Sequence, residues 1–149
     1  MDREALLHHS KALCTAFANH DSMDQIVQCF SSTRANDIRC FEHGLQRLAP
    51  FLGRSFQGVD GLKEYFAIIA DLLSYETMEF SDYIVDVEER VVSVRGKAKF
   101  TWKSTGNSWD EVFIYRLQLD EDGKVIVYEV WADSGAAYLA SKGELAGDN

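Results

Sequence analysis

Apolar positions recur along this chain with two different periods, and the change between them falls near Tyr75. Before that point the spacing is helical. Leu6, Leu13 and Phe17, seven and four residues apart, form one apolar stripe on a first helix. Asn19 to Ser22 interrupt it. Ser22-Met23-Asp24-Gln25 then has the S-x-x-Q form of a capping box, and Ile26, Val27 and Phe30 follow as the apolar positions of a short second helix. Ile38 to His43 reads as a short strand. After Pro50, the positions Leu62, Tyr65, Phe66, Ile69 and Leu73 predict a third helix, with Asp60 placed to cap it. This helix is expected to be the most fully packed of the three.

From Tyr75 onward the period is 2. Four strands are predicted, at about 76–88, 91–103, 109–119 and 124–132. Glu89-Arg90, Thr105-Gly106-Asn107 and Asp120-Glu121-Asp122-Gly123 separate them, all of it turn chemistry. Connections this short make antiparallel neighbours. Ser134 to Ser141 predicts a brief closing helix. There is one proline and no repeat, low-complexity tract or linker, so residues 1–149 read as a single α+β domain with helices covering one face of a curved sheet.

The alternation assigns side chains to faces. Val92, Val94, Gly96, Ala98, Phe100 and Trp102 share one row; Ser93, Arg95, Lys97, Lys99 and Lys103 share the other. Gly96 and Ala98 leave the apolar row thin in the middle. A large helix side chain, a bend in the strand, or a ligand cavity would each account for that. On the next strand Glu111 stands in a row with Trp109, Phe113, Tyr115, Leu117 and Leu119. A carboxylate there is paired, protonated, or exposed at the sheet rim; if enclosed, its raised pKa suits acid or base work near neutrality. His43 is the one histidine outside the N-terminal helical region. Imidazole is useful for proton transfer, although a lone histidine also serves as a hydrogen-bonded structural residue. On the last strand, Glu129 and Trp131 share one row and Tyr128 and Val130 the other, both apolar enough to be buried. Asp133 falls where that strand gives way to the closing helix, the position of an N-cap.

Composition narrows the class. An apolar fraction of 46% marks a folded domain, and no run approaches the ~20 apolar residues of a membrane span. The N-terminus lacks a secretory pattern, so a soluble cytoplasmic protein is expected. Fifteen Lys and Arg against 24 Asp and Glu give a net charge of −9, which argues against nucleic-acid binding. Only Arg95, Lys97, Lys99 and Lys103 offer a basic row, and a solvated sheet face explains it. Cys14, Cys29 and Cys40 show no paired spacing and read as reduced thiols. No His or Cys pattern suggests a metal, and no cofactor is expected.

Phe56-Gln57-Gly58-Val59-Asp60-Gly61-Leu62-Lys63-Glu64-Tyr65-Phe66 resembles the F-x-G-x-x-G-hydrophobic-x-x-F/Y-F segment that opens the third helix of the NTF2-like superfamily. Asp122-Gly123-Lys124-Val125 and then Tyr128-Glu129-Val130-Trp131-Ala132-Asp133 are similar to the last hairpin and strand of its SnoaL-like branch. The order of elements agrees over about residues 3–141, and the WADSGAAYL ending is most similar to small fungal SnoaL-like proteins. The resemblance implies a cone-shaped α+β barrel, with N-terminal helices packed in a curved, mainly antiparallel sheet around an apolar pocket. It also implies pairing through the outer sheet face as a homodimer, with Trp131 outside and the Tyr128/Val130 row inside. The superfamily includes polyketide cyclases, ketosteroid isomerases, scytalone dehydratases and epoxide hydrolases, as well as transport adaptors and proteins without chemistry, so fold does not settle function. This chain has no Arg-x-Asp pair of the epoxide-hydrolase kind on 91–103 or 109–119, and no second central histidine of the scytalone-dehydratase kind.

Three readings follow. The first is a cofactor-independent acid/base isomerase, cyclase or dehydratase for a hydrophobic carbonyl or polycyclic compound, with Glu111 or His43 moving the proton. The second is a non-catalytic binding module for a small apolar molecule. The third is a protein–protein adaptor of the transport-factor type. In the first two the pocket is lined by Tyr65, Phe66, Gly96, Ala98, Phe100 and Trp102, with Phe113, Tyr115, Tyr128 and Val130.

Overall fold

The computed structural model describes residues 1–145. Helix α1 (Arg3–Ala18) opens under the Asp2 side chain, which accepts from the Ala5 amide at 2.9 Å, and it buries Leu6, Leu13 and Phe17 along the expected stripe. Helix α2 (Met23–Val27) carries both bonds of its capping box: Gln25 N–H to Ser22 Oγ at 3.2 Å, and Ser22 N–H to Gln25 Oε1 at 2.8 Å. Strands β1 (Arg39–Glu42) and β2 (Phe56–Gln57) precede helix α3 (Gly58–Leu72). Strands β3 (Leu73–Asp86), β4 (Val91–Trp102), β5 (Ser108–Leu119) and β6 (Val125–Trp131) then run as a meander, and α4 (Ser134–Ser141) closes the described chain.

The six strands form one open sheet in the order β2-β1-β6-β5-β4-β3. Every pairing is antiparallel except β1 with β6, where Cys40 lies beside Tyr128 and Glu42 beside Val130. The architecture is thus the expected α+β one, with a mixed sheet whose edges are β2 and β3. Strand β3 turns twice through left-handed residues, Thr77 and Asp82, where its register against β4 shifts. Such bulges bend an edge strand and increase its twist.

Four details depart from the sequence reading. Asp60 does not cap α3: the helix starts at Gly58, whose φ of +70° turns the chain out of β2, and Asp60 lies inside the first turn. Helix α3 is also not the most fully packed. It buries Leu62 and Tyr65 while α1 buries seven residues, because the α3 positions Phe66, Ile69 and Ala70 face a cavity. Strand β3 begins at Leu73, directly off the helix, rather than at 76. Finally, the space above Gly96 belongs neither to a helix side chain nor to a ligand. Its cross-strand partner Phe113 fills it, and a Cβ at Gly96 would lie 2.1 Å from Phe113 Cε2.

The basic row of β4 is exposed and flanked by acids. Lys99 pairs in register with Glu76 on one side and Asp110 on the other, and Lys97 pairs with Glu79. Among the described residues no helix is long and apolar enough to cross a membrane.

Candidate functional site

A cavity of about 500 Å³ lies between the inner face of the sheet and helices α1 to α3, bounded at one side by the start of α4. Strand alternation builds its wall. The inward row of β5 contributes Trp109, Glu111, Phe113 and Tyr115; the inward row of β6 contributes Tyr128 and Val130. Phe100 comes from β4, and Phe17, Tyr65 and Phe66 come from the helices opposite. The aromatic rings interlock, with Tyr115 and Tyr128 centroids 5.0 Å apart and Phe17 5.5 Å from Phe66.

Of the residues expected at a pocket, Gly96, Ala98 and Trp102 are not on its wall. Gly96 is covered by Phe113, Ala98 is buried, and Trp102 is buried with its indole N–H on Ser104 Oγ at 3.1 Å. His43 is not brought to the cavity either. One residue beyond β1, it continues the outward row of Arg39 and Phe41, on the opposite face from Cys40 and Glu42. Its ring stacks on Trp131 at 4.3 Å and 9°, and its Nε2 lies 2.9 Å from Glu129 Oε2, while Arg116 donates to the other oxygen, Glu129 Oε1, at 3.4 Å. Trp131 is 41% exposed on that outer face, and the Tyr128/Val130 row points inward.

Two of the carboxyl groups lining the cavity are buried, Glu42 and Glu111, each 7% exposed. Glu111 Oε1 accepts from the Trp109 indole N–H and from the Asp133 amide, both at 3.1 Å. Its second oxygen has no protein hydrogen bond among the described residues. Burial pushes the Glu111 pKa up to about 7, and the two N–H donors, which favour the charged form, limit the rise. Glu42 is the residue sequence reasoning missed. Its Oε1 accepts from the Tyr65 hydroxyl at 2.5 Å. Burial lifts its pKa to about 8; the Tyr65 bond opposes the rise and the nearby Glu111 charge adds to it. Alternation along β1 offered a signal, because it sets Glu42 on the face of Cys40, opposite His43.

Asp133 does cap α4, its Oδ1 accepting from the Ala136 amide at 3.0 Å. Its own amide, meanwhile, is one of the two donors to Glu111, so the strand–helix junction serves both the helix and the carboxyl group. The rim carries His20, Asp21 and Lys103. The thiols take no part: Cys14, Cys29 and Cys40 are unpaired, and burial raises the Cys14 pKa to about 12. Among the described residues no three His, Cys, Asp or Glu side chains converge as metal ligands.

The fold, four helices against one open mixed sheet with an aromatic cavity between them, is the one seen in NTF2-like structures. No family model and no curated protein matches the chain. Solved structures do. An NTF2-like protein of unknown function from Burkholderia pseudomallei K96243 superposes with a TM-score of 0.77 at 14% identity, covering 94% of this chain and 98% of that one. The BvnE pinacolase from Penicillium brevicompactum gives 0.72 at 14% identity, covering 99% of each. A protein named as a SnoaL-like polyketide cyclase, from Jannaschia sp. CCS1, gives 0.73 at 14% identity, covering 94% of this chain and 96% of that one. Bacterial and fungal structures match alike, so the likeness does not single out the fungal members.

Proposed function

We propose that this chain is a cofactor-independent acid/base catalyst, an isomerase, cyclase or dehydratase acting on a hydrophobic carbonyl or polycyclic compound. The observation that carries the reading is Glu111: an enclosed carboxyl group, fixed through one oxygen by two N–H donors, on the wall of an aromatic cavity. With a pKa of about 7, it is roughly half ionised at neutral pH, where a general base and its conjugate acid are both at hand. Glu42, at about 8, mostly keeps its proton there and serves as the acid or hydrogen-bond donor to a substrate oxygen, oriented by Tyr65. His43 is left out of this scheme by its position on the outer face.

The reading extends to assembly and location. Trp131, Val112 and Ile114 expose apolar surface on the outer sheet face, which supports a homodimer formed there, in the cytoplasm where the three thiols stay reduced.

The test is hydrogen exchange. A panel of cyclic and polycyclic ketones is incubated with the protein in D₂O, and exchange at the carbon beside the carbonyl is followed by NMR. Glu111→Gln is expected to slow exchange about 10²- to 10⁴-fold. A ketone that the wild type exchanges and Glu111→Gln exchanges equally fast would refute the assignment. Binding without exchange would favour the non-catalytic module.

A further inference from the structure

The charges around the cavity are one-sided. Asp21, Glu42, Glu111 and Asp133 line it, against His20 and Lys103, and among the described residues no arginine reaches it. Neither base is directed to the interior. Lys103 is exposed and its Nζ donates to the Ala70 carbonyl in the last turn of α3. His20 is exposed and stacks on Tyr75 at 4.4 Å and 17°. Inside remain two carboxyl groups, each with an oxygen that no protein donor occupies among the described residues, and the faces of aromatic rings. Ring faces carry negative quadrupole potential and attract cations. An anion entering here would shed its water and meet only acids and π-faces. A neutral ligand would gain apolar burial and a hydrogen bond from a protonated carboxyl group, with no charge pairing. A cation gains burial, a carboxylate and the rings together.

Taking the aromatic cavity as the ligand site, as proposed above, we infer that it selects a cationic occupant: a protonated amine carried on an aromatic or polycyclic body. The substrate's basic nitrogen then sits against Glu42 or Glu111 while its rings pack among Phe17, Phe66, Phe113 and Tyr128.

A linkage follows from the same geometry. Glu42 is faced by Tyr65 from α3, by Cys40 on its own strand, and by Glu111 across the cavity; Glu111 is faced by Trp109 and Asp133. None of these is a cation. A bound ammonium is therefore the first positive charge beside either carboxyl group, and it favours their ionised forms. Binding releases protons, and affinity rises with pH through the range of about 7 to 8 in which the two groups titrate.

Isothermal titration calorimetry with three matched probes tests this: 1-naphthylmethylamine, 1-naphthalenemethanol and 1-naphthoate, each at pH 7.5 in two buffers of different ionisation enthalpy. The amine is expected to bind at least about tenfold tighter than the alcohol, the carboxylate most weakly, and only the amine to release protons. In a Glu42→Gln, Glu111→Gln double variant the preference for the amine is expected to vanish while the alcohol still binds. If the alcohol or the carboxylate binds as tightly as the amine, the charge selection is overturned and the cavity reading survives. If none of the three binds, both fall together.

Discussion

Replacing Glu111 by Gln should stabilise the fold at alkaline pH, and by an amount that depends on pH. In the unfolded chain Glu111 ionises near its ordinary pKa of 4.5; in the native state burial holds it at about 7. Between those values the native state binds more protons than the unfolded one, so stability declines as pH rises. The raised pKa costs nothing below 4.5 and its full amount above about 7, where the shift corresponds to roughly 3 kcal/mol. A glutamine of the same shape accepts the Trp109 and Asp133 N–H bonds through its carbonyl and never ionises. Urea titrations of wild type and variant at pH 4.5, 6, 7.5 and 8.5 read the effect, since the other titrating groups cancel in the difference except Glu42, whose pKa falls when the Glu111 charge is removed. The variant should be equal or slightly less stable at pH 4.5 and about 2–4 kcal/mol more stable at pH 8.5. A difference that does not change with pH would mean Glu111 titrates like an exposed carboxylate, and the enclosed-acid account would be refuted.

Other predictions rest on separate contacts. Gly96→Ala should destabilise by about 1–3 kcal/mol in urea, because its Cβ would collide with the Phe113 ring. Asp133→Ala should cost about 1 kcal/mol through the lost α4 cap, whereas Asp133→Asn, which can still accept from Ala136, should cost little in thermal unfolding. Once a substrate is found, kcat/KM should rise with pH near 7 as Glu111 ionises and fall near 8 as Glu42 loses its proton; a plateau extending above pH 9 would exclude Glu42 as the acid. Light scattering should show a dimer that Trp131→Glu converts to monomer, and a monomeric wild type would end the dimer proposal.

Strand periodicity carried most of what could be read before the fold was known. A period of 2 places Glu111 in the row of Phe113 and Tyr115 whatever the strand pairs with, and the structure keeps that row together on the cavity wall. Turn chemistry located the meander, and the strand-to-helix switch located the Asp133 cap. Whatever depended on partners distant in sequence was hidden. Gly96 looked like open space because nothing local says that Phe113 lies in register beside it. Alternation along β1 puts Glu42 on the face of Cys40, but which face meets the cavity depends on the parallel pairing with β6, and that partner is distant in sequence. His43, next to Glu42 in sequence, drew attention by residue type, but alternation sends it to the other face. Asp60 looked like a cap because Gly58 opens the helix earlier than a side-chain signal would.

Glu111, as a buried acid on the cavity wall, should titrate well above an exposed carboxylate. The most direct measurement is an NMR titration of its side-chain carboxyl carbon in ¹³C-labelled protein, assigned by its absence in Glu111→Gln. The structure predicts a midpoint of about 7. A midpoint near the ordinary value of 4.5 would contradict the account.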